Sequence, residues 1–286
     1  MAETMQLPIL GSGISGRSRA VSAQKRQNLF LEIKSEHDKS NLVAYGTPGL
    51  KFFTTLGASA TRGIWWFQAL NRLYAVSYNQ LVEIAPDGTV TNRGTLLTTA
   101  GTVSMADNGT QLMIVDGPNG YILSMVDGSL TQITSDAFPG ANTVTFQDGY
   151  FICNNPGTGQ WFISALYDGF SWNALDFVTA EGSPDNTVAV LSNQRQVWVF
   201  GERSIEVWWD SGATDFPFSR IDGAFIEYGC IAGQSAKRYS NTVIWLGGGP
   251  NAAGIVWMAQ GYVPKRISNH GVELAIQSYP NIQDAT

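Results

Sequence analysis

The side chains best equipped for catalysis are few and scattered. Only two histidines occur, His37 and His270, near opposite ends of the chain. Neither has the HxxxH or CxxC company that assembles a metal site, and neither is joined to a GxSxG elbow presenting a nucleophilic serine. Cys153 lies inside the apolar run YFICNN, where a buried structural thiol is the ordinary reading and a nucleophile the rare one. With Cys230 as its single companion, it cannot build a disulfide framework. Gly11, Gly13 and Gly16 spell GxGxxG, and Glu32 stands about where a ribose contact would fall. That motif binds a dinucleotide only between a strand and a helix. Here its flank is the basic, serine-rich stretch GSGISGRSRAVSAQKR, which reads as a flexible arm. Asn108-Gly109-Thr110 matches a glycosylation sequon but reads as a hairpin turn. No catalytic residue, cofactor site or metal site is therefore expected.

Composition narrows the class. The chain has 286 residues, 44% of them hydrophobic, and a formal net charge of −6, which excludes a disordered polyampholyte. No uninterrupted apolar stretch approaches the ~18 residues of a membrane helix, so no membrane partner is expected. Only 14% of residues are charged, against about 25% in an average soluble domain, so much of the surface is expected to lie against other subunits. The charges are also segregated. Between residues 94 and 194 there is no Lys or Arg, while Asp107, Asp116, Asp127, Asp136, Asp148, Asp168, Asp176, Glu181 and Asp185 all fall there. Arg17, Arg19, Lys25 and Arg26 gather instead near the N-terminus, giving a basic arm over residues 1–23 and its border. A chain that gripped nucleic acid would cluster bases on one face; this one shows the reverse over a third of its length.

The elements that would position these groups form a repeat. Apolar runs begin at Arg72, Gln111, Tyr150, Gln196 and Thr242, in steps of 39, 39, 46 and 46 residues. A strand-like segment precedes each run, a third follows it, and a shorter fourth (VTNRG, SLTQI, PFSRI, VPKRIS) closes most units. Turns such as Asp127-Gly128, Asp148-Gly149 and Asp168-Gly169 supply the positive-φ positions tight hairpins need. VWVF, FICN and VIWL are apolar on both faces, whereas a sandwich strand facing water would alternate. A four-stranded unit recurring at this period, with two-sided inner strands, is the signature of a β-propeller. The expected fold is all-β: a propeller over residues 24–286 with five recognisable units and a total of five to seven. An elongated β-sandwich or barrel is the rival. A short helix is expected in SNHGVELAIQSY, capped by Asn269.

One enzymatic reading survives this frame. Glycosidic propellers bring carboxylates from different blades to a central channel, and Asp116, Asp148 and Glu181 come from successive units. Asp116 and Asp148, however, sit in Asp-Gly turns, where local hydrogen bonding accounts for them. A carbohydrate-active five-bladed propeller, hydrolysing or binding sugars, is kept as the alternative.

The segments TVTFQDGYFICNNPGTGQWFISALYDG, VWVFGERSIEVWWDSGATDFPFSRI, GAFIEYGC and ISNHGVELAIQSY resemble the packaged-DNA stabilisation proteins, or tail hub factors, of short-tailed double-stranded DNA phages. QKRQNLFLEI, PGLKFFTTLG and RLYAVSYNQLVEI are similar to the same family, so the likeness runs from about Gln24 onward. Family members continue beyond the equivalent of Tyr279, which leaves ring closure and later blades open. The resemblance implies a non-enzymatic virion protein at the head-tail junction, assembled in the host cytoplasm. It implies a homo-oligomeric ring, by analogy a hexamer, below the portal-adaptor ring. Such a ring continues the DNA channel, retains packaged DNA until genome ejection, and seats the tail needle and fibre or spike proteins. Passing genomic DNA would be let through without tight binding. On that frame Asp107, Asp116, Asp148, Asp168 and Glu181 are expected to face the ring's channel. Arg17, Arg19, Lys25, Arg26, Trp65, Trp66, Trp208 and Trp209 are the expected interface residues, one ring of each adjacent Trp pair pointing away from the other.

Overall fold

Apolar strand cores punctuated by Gly-bearing turns give 22 strands and one α-helix among the described residues. The computed structural model describes residues 28–33, 42–57, 59–249 and 252–286. The chain divides into two units, Met1–Phe53 with Ser268–Pro280, and Thr54–Ile267 with Asn281–Thr286. In the first unit, β1 (Leu29–Ile33) pairs antiparallel with β2 (Leu42–Gly46). Phe30 stands opposite Tyr45, their rings stacked at 5.4 Å. The strand expected in QKRQNLFLEI thus pairs with its own neighbour in sequence. The same unit holds α1 (His270–Gln277), and Asn269 caps it as expected, its side chain accepting from the Gly271 and Val272 N–H groups at 3.1 and 3.0 Å.

The second unit is five four-stranded antiparallel sheets, each a simple meander. The first comprises β3 (Thr61–Phe67), β4 (Arg72–Ser77), β5 (Gln80–Ile84) and β6 (Val90–Thr95). The second is β7 (Ser104–Asp107), β8 (Gln111–Val115), β9 (Gly120–Ser124) and β10 (Leu130–Gln132). The third is β11 (Val144–Gln147), β12 (Tyr150–Asn154), β13 (Gln160–Ala165) and β14 (Asp168–Thr179). The fourth is β15 (Thr187–Asn193), β16 (Gln196–Gly201), β17 (Ile205–Asp210) and β18 (Phe218–Ile226). The fifth is β19 (Lys237–Tyr239), β20 (Thr242–Gly249), β21 (Ala252–Gln260) and β22 (Val263–Arg266). The five apolar runs that revealed the repeat are therefore β4, β8, β12, β16 and β20, the second strand of every sheet.

Two-sided apolarity has a direct structural cause. In β8, Leu112 and Ile114 join a buried cluster with Phe67 and Leu81 of the first sheet, whereas Met113 and Val115 join Phe151 and Cys153 of the third. In β12, Ile152 points the other way, toward Trp161, Val197 and Trp208. In β16, Trp198 and Phe200 pack with Trp245 and Trp257 of the fifth sheet. Successive side chains of a strand point to opposite faces, so one strand feeds two seams. Four such seams join the five sheets in order, and no buried cluster joins the fifth to the first among the described residues. The first sheet's other face buries Ala75, Val82 and Ile84 under Leu56.

Close approach and turn chemistry explain the glycines that matter most here. A Cβ at Gly63 would collide with the Val103 carbonyl oxygen, so the first and second sheets could not meet at β3 with any other residue. Asp148 and Gly149 both have positive φ, 49° and 95°, the pair a two-residue hairpin requires.

Trp161 tests the seams. It is fully buried and meets Trp208, Phe216 and Phe218 at ring separations of 5.3, 5.2 and 5.8 Å. Trp161→Ala is expected to cost about 3–5 kcal/mol in a urea titration. Val126→Ala, at a side chain 88% exposed, should move the midpoint by no more than about 0.5 kcal/mol.

Candidate functional site

The first strands of all five sheets line one cavity of about 610 Å³ in the second unit. A first strand has a free backbone edge there, and buried N–H groups must find acceptors. Side-chain hydroxyls of the preceding sheet supply them. Ser104 Oγ accepts from the Val144 N–H at 3.1 Å, Thr143 Oγ1 from Val190 N–H at 3.0 Å, and Thr145 Oγ1 from Ser192 N–H at 3.0 Å. The Val103 N–H instead reaches the Arg62 carbonyl at 3.0 Å, and the Cys230 N–H the Gly201 carbonyl at 2.9 Å. Asn154, fully buried on β12, accepts from Thr143 and donates to the Thr187 carbonyl, tying the third sheet to the fourth.

Three cations line this cavity, Arg62, Lys237 and Arg238, and no Asp or Glu does. Arg62 is fully engaged. Its guanidinium donates to the carbonyls of Tyr78, Thr98, Ala100 and Gly101 and to Thr98 Oγ1, all at 2.7–2.8 Å. Burial lowers its pKa, an effect the nearby Asp116 carboxylate opposes. Asp116 is itself buried and accepts from Thr98 Oγ1 at 2.5 Å and from the Asn119 backbone at 3.0 Å. Arg62 and Asp116 together pin the connection between the first and second sheets. Lys237 and Arg238 have no such company: neither has a hydrogen bond or ion pair among the described residues. Both residues are exposed, and partial desolvation by the surrounding protein lowers the pKa of each.

Of the five acids expected to face a ring channel, Asp107, Asp116, Asp148 and Asp168 have local bonding roles, and none of the five lines the central cavity. Asp107 accepts from the Trp65 indole at 2.7 Å and from the Gly109 N–H at 3.1 Å. Asp148 pairs with Arg195 at 3.4 Å. Asp168 accepts from Phe170 N–H at 2.9 Å and Ser171 Oγ at 2.6 Å. Burial alone would raise the Asp168 pKa, but these bonds outweigh it and hold the carboxyl below its ordinary value. Glu181 is exposed on the connection between β14 and β15. In a meander the turns after the first and third strands fall at one end, and Asp87, Asp107, Asp127, Asp148 and Asp168 all occupy such turns. Contacts between turns support this grouping, since Asn108 Nδ2 donates to the Tyr167 carbonyl at 3.2 Å. That end of the sheets is acid-rich. Asp116 follows β8 and so lies at the opposite end from Asp148.

The tryptophan pairs divide as strand geometry requires. Trp65 packs into the seams and Trp66 is half-exposed; Trp208 is buried, its indole donating to Glu206 at 3.1 Å, and Trp209 is half-exposed. Arg17, Arg19, Lys25, Arg26, His37 and the GxGxxG glycines lie outside the described residues. Both thiols are buried, and desolvation raises Cys153 well above its ordinary value and Cys230 to about 11. Among the described residues no group of three His, Cys, Asp or Glu could hold a metal ion. Sequence reasoning passed over Lys237 and Arg238. The signal was present: AKRYSN is the one first-strand segment beginning with two cations, where TVSMADNG, NTVTFQDG and NTVAVLSN carry no base.

Comparison with known proteins agrees with this architecture. Residues 5–286 match the Phage_stabilise family model, described as "Bacteriophage P22 Gp10, beta-propeller". No curated protein matches the sequence. Among solved structures, the extracellular domain of the putative one-component system BT4673 from B. thetaiotaomicron superposes with a TM-score of 0.51 at 13% identity, covering 80% of this chain and 30% of that one. The computationally designed Ika8 protein gives a TM-score of 0.48 at 13% identity, over 81% of this chain and 68% of its own.

Two measurements check the local chemistry. Removing the Arg62 clamp by Arg62→Ala should destabilise the fold by about 1.5–3 kcal/mol, read by denaturant unfolding. Hydrogen bonds from the backbone and hydroxyl of Ser129 hold Asp127 below its ordinary pKa. A depressed folded-state carboxylate contributes stability that is present above about pH 4 and lost as pH falls through the folded value. Ser129→Ala, which removes the hydroxyl bond and keeps the backbone one, should therefore raise the Asp127 pKa in an NMR titration and weaken this acid dependence; an unchanged pKa would show that the hydroxyl does not control it.

Proposed function

We infer that this chain, which belongs to the family of the bacteriophage P22 Gp10 β-propeller, is a structural component of a phage tail with no catalytic role. Our fuller reading is a tail hub: a homo-oligomeric ring below the portal-adaptor that continues the DNA channel, retains packaged DNA and seats needle and fibre or spike proteins. The observation that carries it is the family match across residues 5–286. Charge supports it. The acid-rich end of the sheets would repel phosphates, and its carboxylates stay ionised, Asp87, Asp127 and Asp168 all being held below their ordinary pKa. We assign that end, with Asp107, Asp148 and Asp168, to the channel or needle side of the ring. Trp66 and Trp209, exposed on strands whose other Trp packs inward, are the aromatic anchors we assign to neighbouring subunits. The five sheets around one cavity are read as five blades.

The carbohydrate-active alternative fares less well on geometry. Asp116 is spent in the Arg62 clamp, Asp148 stands at the opposite end of the sheets, and Glu181 lies on a separate connection. A glycosidase needs its two carboxyl groups about 5–10 Å apart across one bond.

Mass photometry with negative-stain microscopy of the assembled tail should show a closed ring. A stable monomer that hydrolyses an oligosaccharide would overturn the reading. Duplex DNA should bind no more tightly than micromolar at ~150 mM salt, because few phosphate contacts are available. A sub-micromolar, steeply salt-dependent constant in a filter-binding assay would contradict the channel assignment.

A further inference from the structure

A peptide bond between Asp or Asn and a following glycine can rearrange by itself. The glycine nitrogen attacks the side-chain carbonyl carbon of the residue before it, and the missing Cβ leaves that approach open. Six Asp-Gly and two Asn-Gly pairs occur in this chain. In seven of the eight the fold holds the side chain. Asp87 accepts from the Thr89 N–H at 2.9 Å, Asp127 from Ser129, and Asp168 from the Phe170 N–H. Asp116 accepts from Thr98 and Asn119, and Asp148 pairs with Arg195. Asn108 accepts from Thr110 and Gln111, and the Asn119 amide spans Asp116 and Gln132. Such bonds hold the side chain away from the nitrogen that follows it. Accepted bonds also keep a carboxylate in its charged form, whose oxygen leaves poorly.

Asp222 is the exception. It is exposed, and its carboxylate has no hydrogen bond or ion pair among the described residues. The backbone beside it is also released from the sheet. Pairing of β18 with β17 passes from Glu206 opposite Phe225 to Trp208 opposite Arg220, which leaves residues 221–224 without register partners. Backbone outside a ladder opens at low cost. Gly223 sits in this bulge at a φ of 79°, and a Cβ built there would meet nothing within 4 Å. At three of the bonded pairs the glycine is crowded instead: Gly128 by Arg93, Gly149 by Leu166 and Gly169 by Ile122. Asp222 thus combines a free carboxyl, a following nitrogen without a register partner, and open space for a five-membered ring.

We propose that Asp222-Gly223 is a self-modification site of the folded protein, at which Asp222 isomerises to isoaspartate. The Gly223 nitrogen bonds to Asp222 Cγ while the C–OH bond of the neutral carboxyl breaks, and the hydroxyl leaves as water with the amide proton. Water then adds to the Asp222 backbone carbonyl carbon of this succinimide and breaks its bond to the Gly223 nitrogen. The main chain now runs through Cγ, one methylene longer, and the mass is unchanged. Ile221 and Ala224 flank the site and pack in the seam with the fifth sheet, so the added length falls beside that seam. The proposal goes beyond the tail assignment and does not rest on it.

The test is incubation of the full folded chain in mildly acidic buffer, then trypsin and electron-transfer fragmentation, which separates isoaspartate from aspartate. Cleavage after Arg220 releases the peptide 221–237. Isoaspartate is expected at residue 222 about tenfold or more faster than at the other five Asp-Gly pairs, whose carboxylates must first lose a charged hydrogen bond. In urea, where those bonds are gone, all six pairs should isomerise at comparable rates. Asp222→Glu, whose longer side chain disfavours the ring, should remove the signal at residue 222. The proposal is overturned by no isoaspartate at residue 222, by equal rates at the bonded pairs of the folded chain, or by the same excess at residue 222 in urea.

Discussion

The free backbone edge of each first strand is the constraint on which this architecture depends. A four-stranded meander satisfies its inner ladders by itself, but the strand at the cavity has no fifth strand to pair with. Ser104, Thr143 and Thr145 answer that need from the neighbouring sheet, so the bonds that complete one sheet also orient the next. Apolar seams then form on both sides of β8, β12 and β16, because each sheet is held close enough for alternate side chains to reach two neighbours. The polar stitching fixes direction and the seams supply the bulk of the burial.

Charge follows the same plan. Where a sheet-to-sheet connection must be held, the chain uses Arg62 and the buried Asp116, both bonded to Thr98. Where a turn must close tightly, it uses an Asp whose carboxylate accepts the N–H two residues on, as Asp87 and Asp127 do. The turn acids collect at one end because the meander returns its first and third strands there, and little cation is spent on them beyond Arg195. The acidity of that end is thus a product of turn chemistry as well as of composition.

Much of the fold was legible in the sequence, and the misses have physical causes. Apolar runs with Asp-Gly punctuation revealed all five second strands, since two-sided burial leaves no alternation to confuse the pattern. The Asn269 cap was legible because a cap is local. The fourth strand of the third sheet was not: β14 runs twelve residues with a register irregularity, and most of its side chains face solvent, so no apolar signal marks it. For the site, residue type alone could show that Asp148 was a turn residue. It could not show that Lys237 and Arg238 lack partners, because that depends on what four other sheets bring to the same cavity.

Four seams without a fifth also has a mechanical meaning. A hoop closed all round resists a load on its bore by stretching every joint at once. A hoop laced at four joints, as here among the described residues, behaves like a split washer: the load opens the gap while the laced joints merely rotate. Within the second unit a load on the cavity would therefore be taken up first between β3 and β19, where no buried cluster joins the described residues.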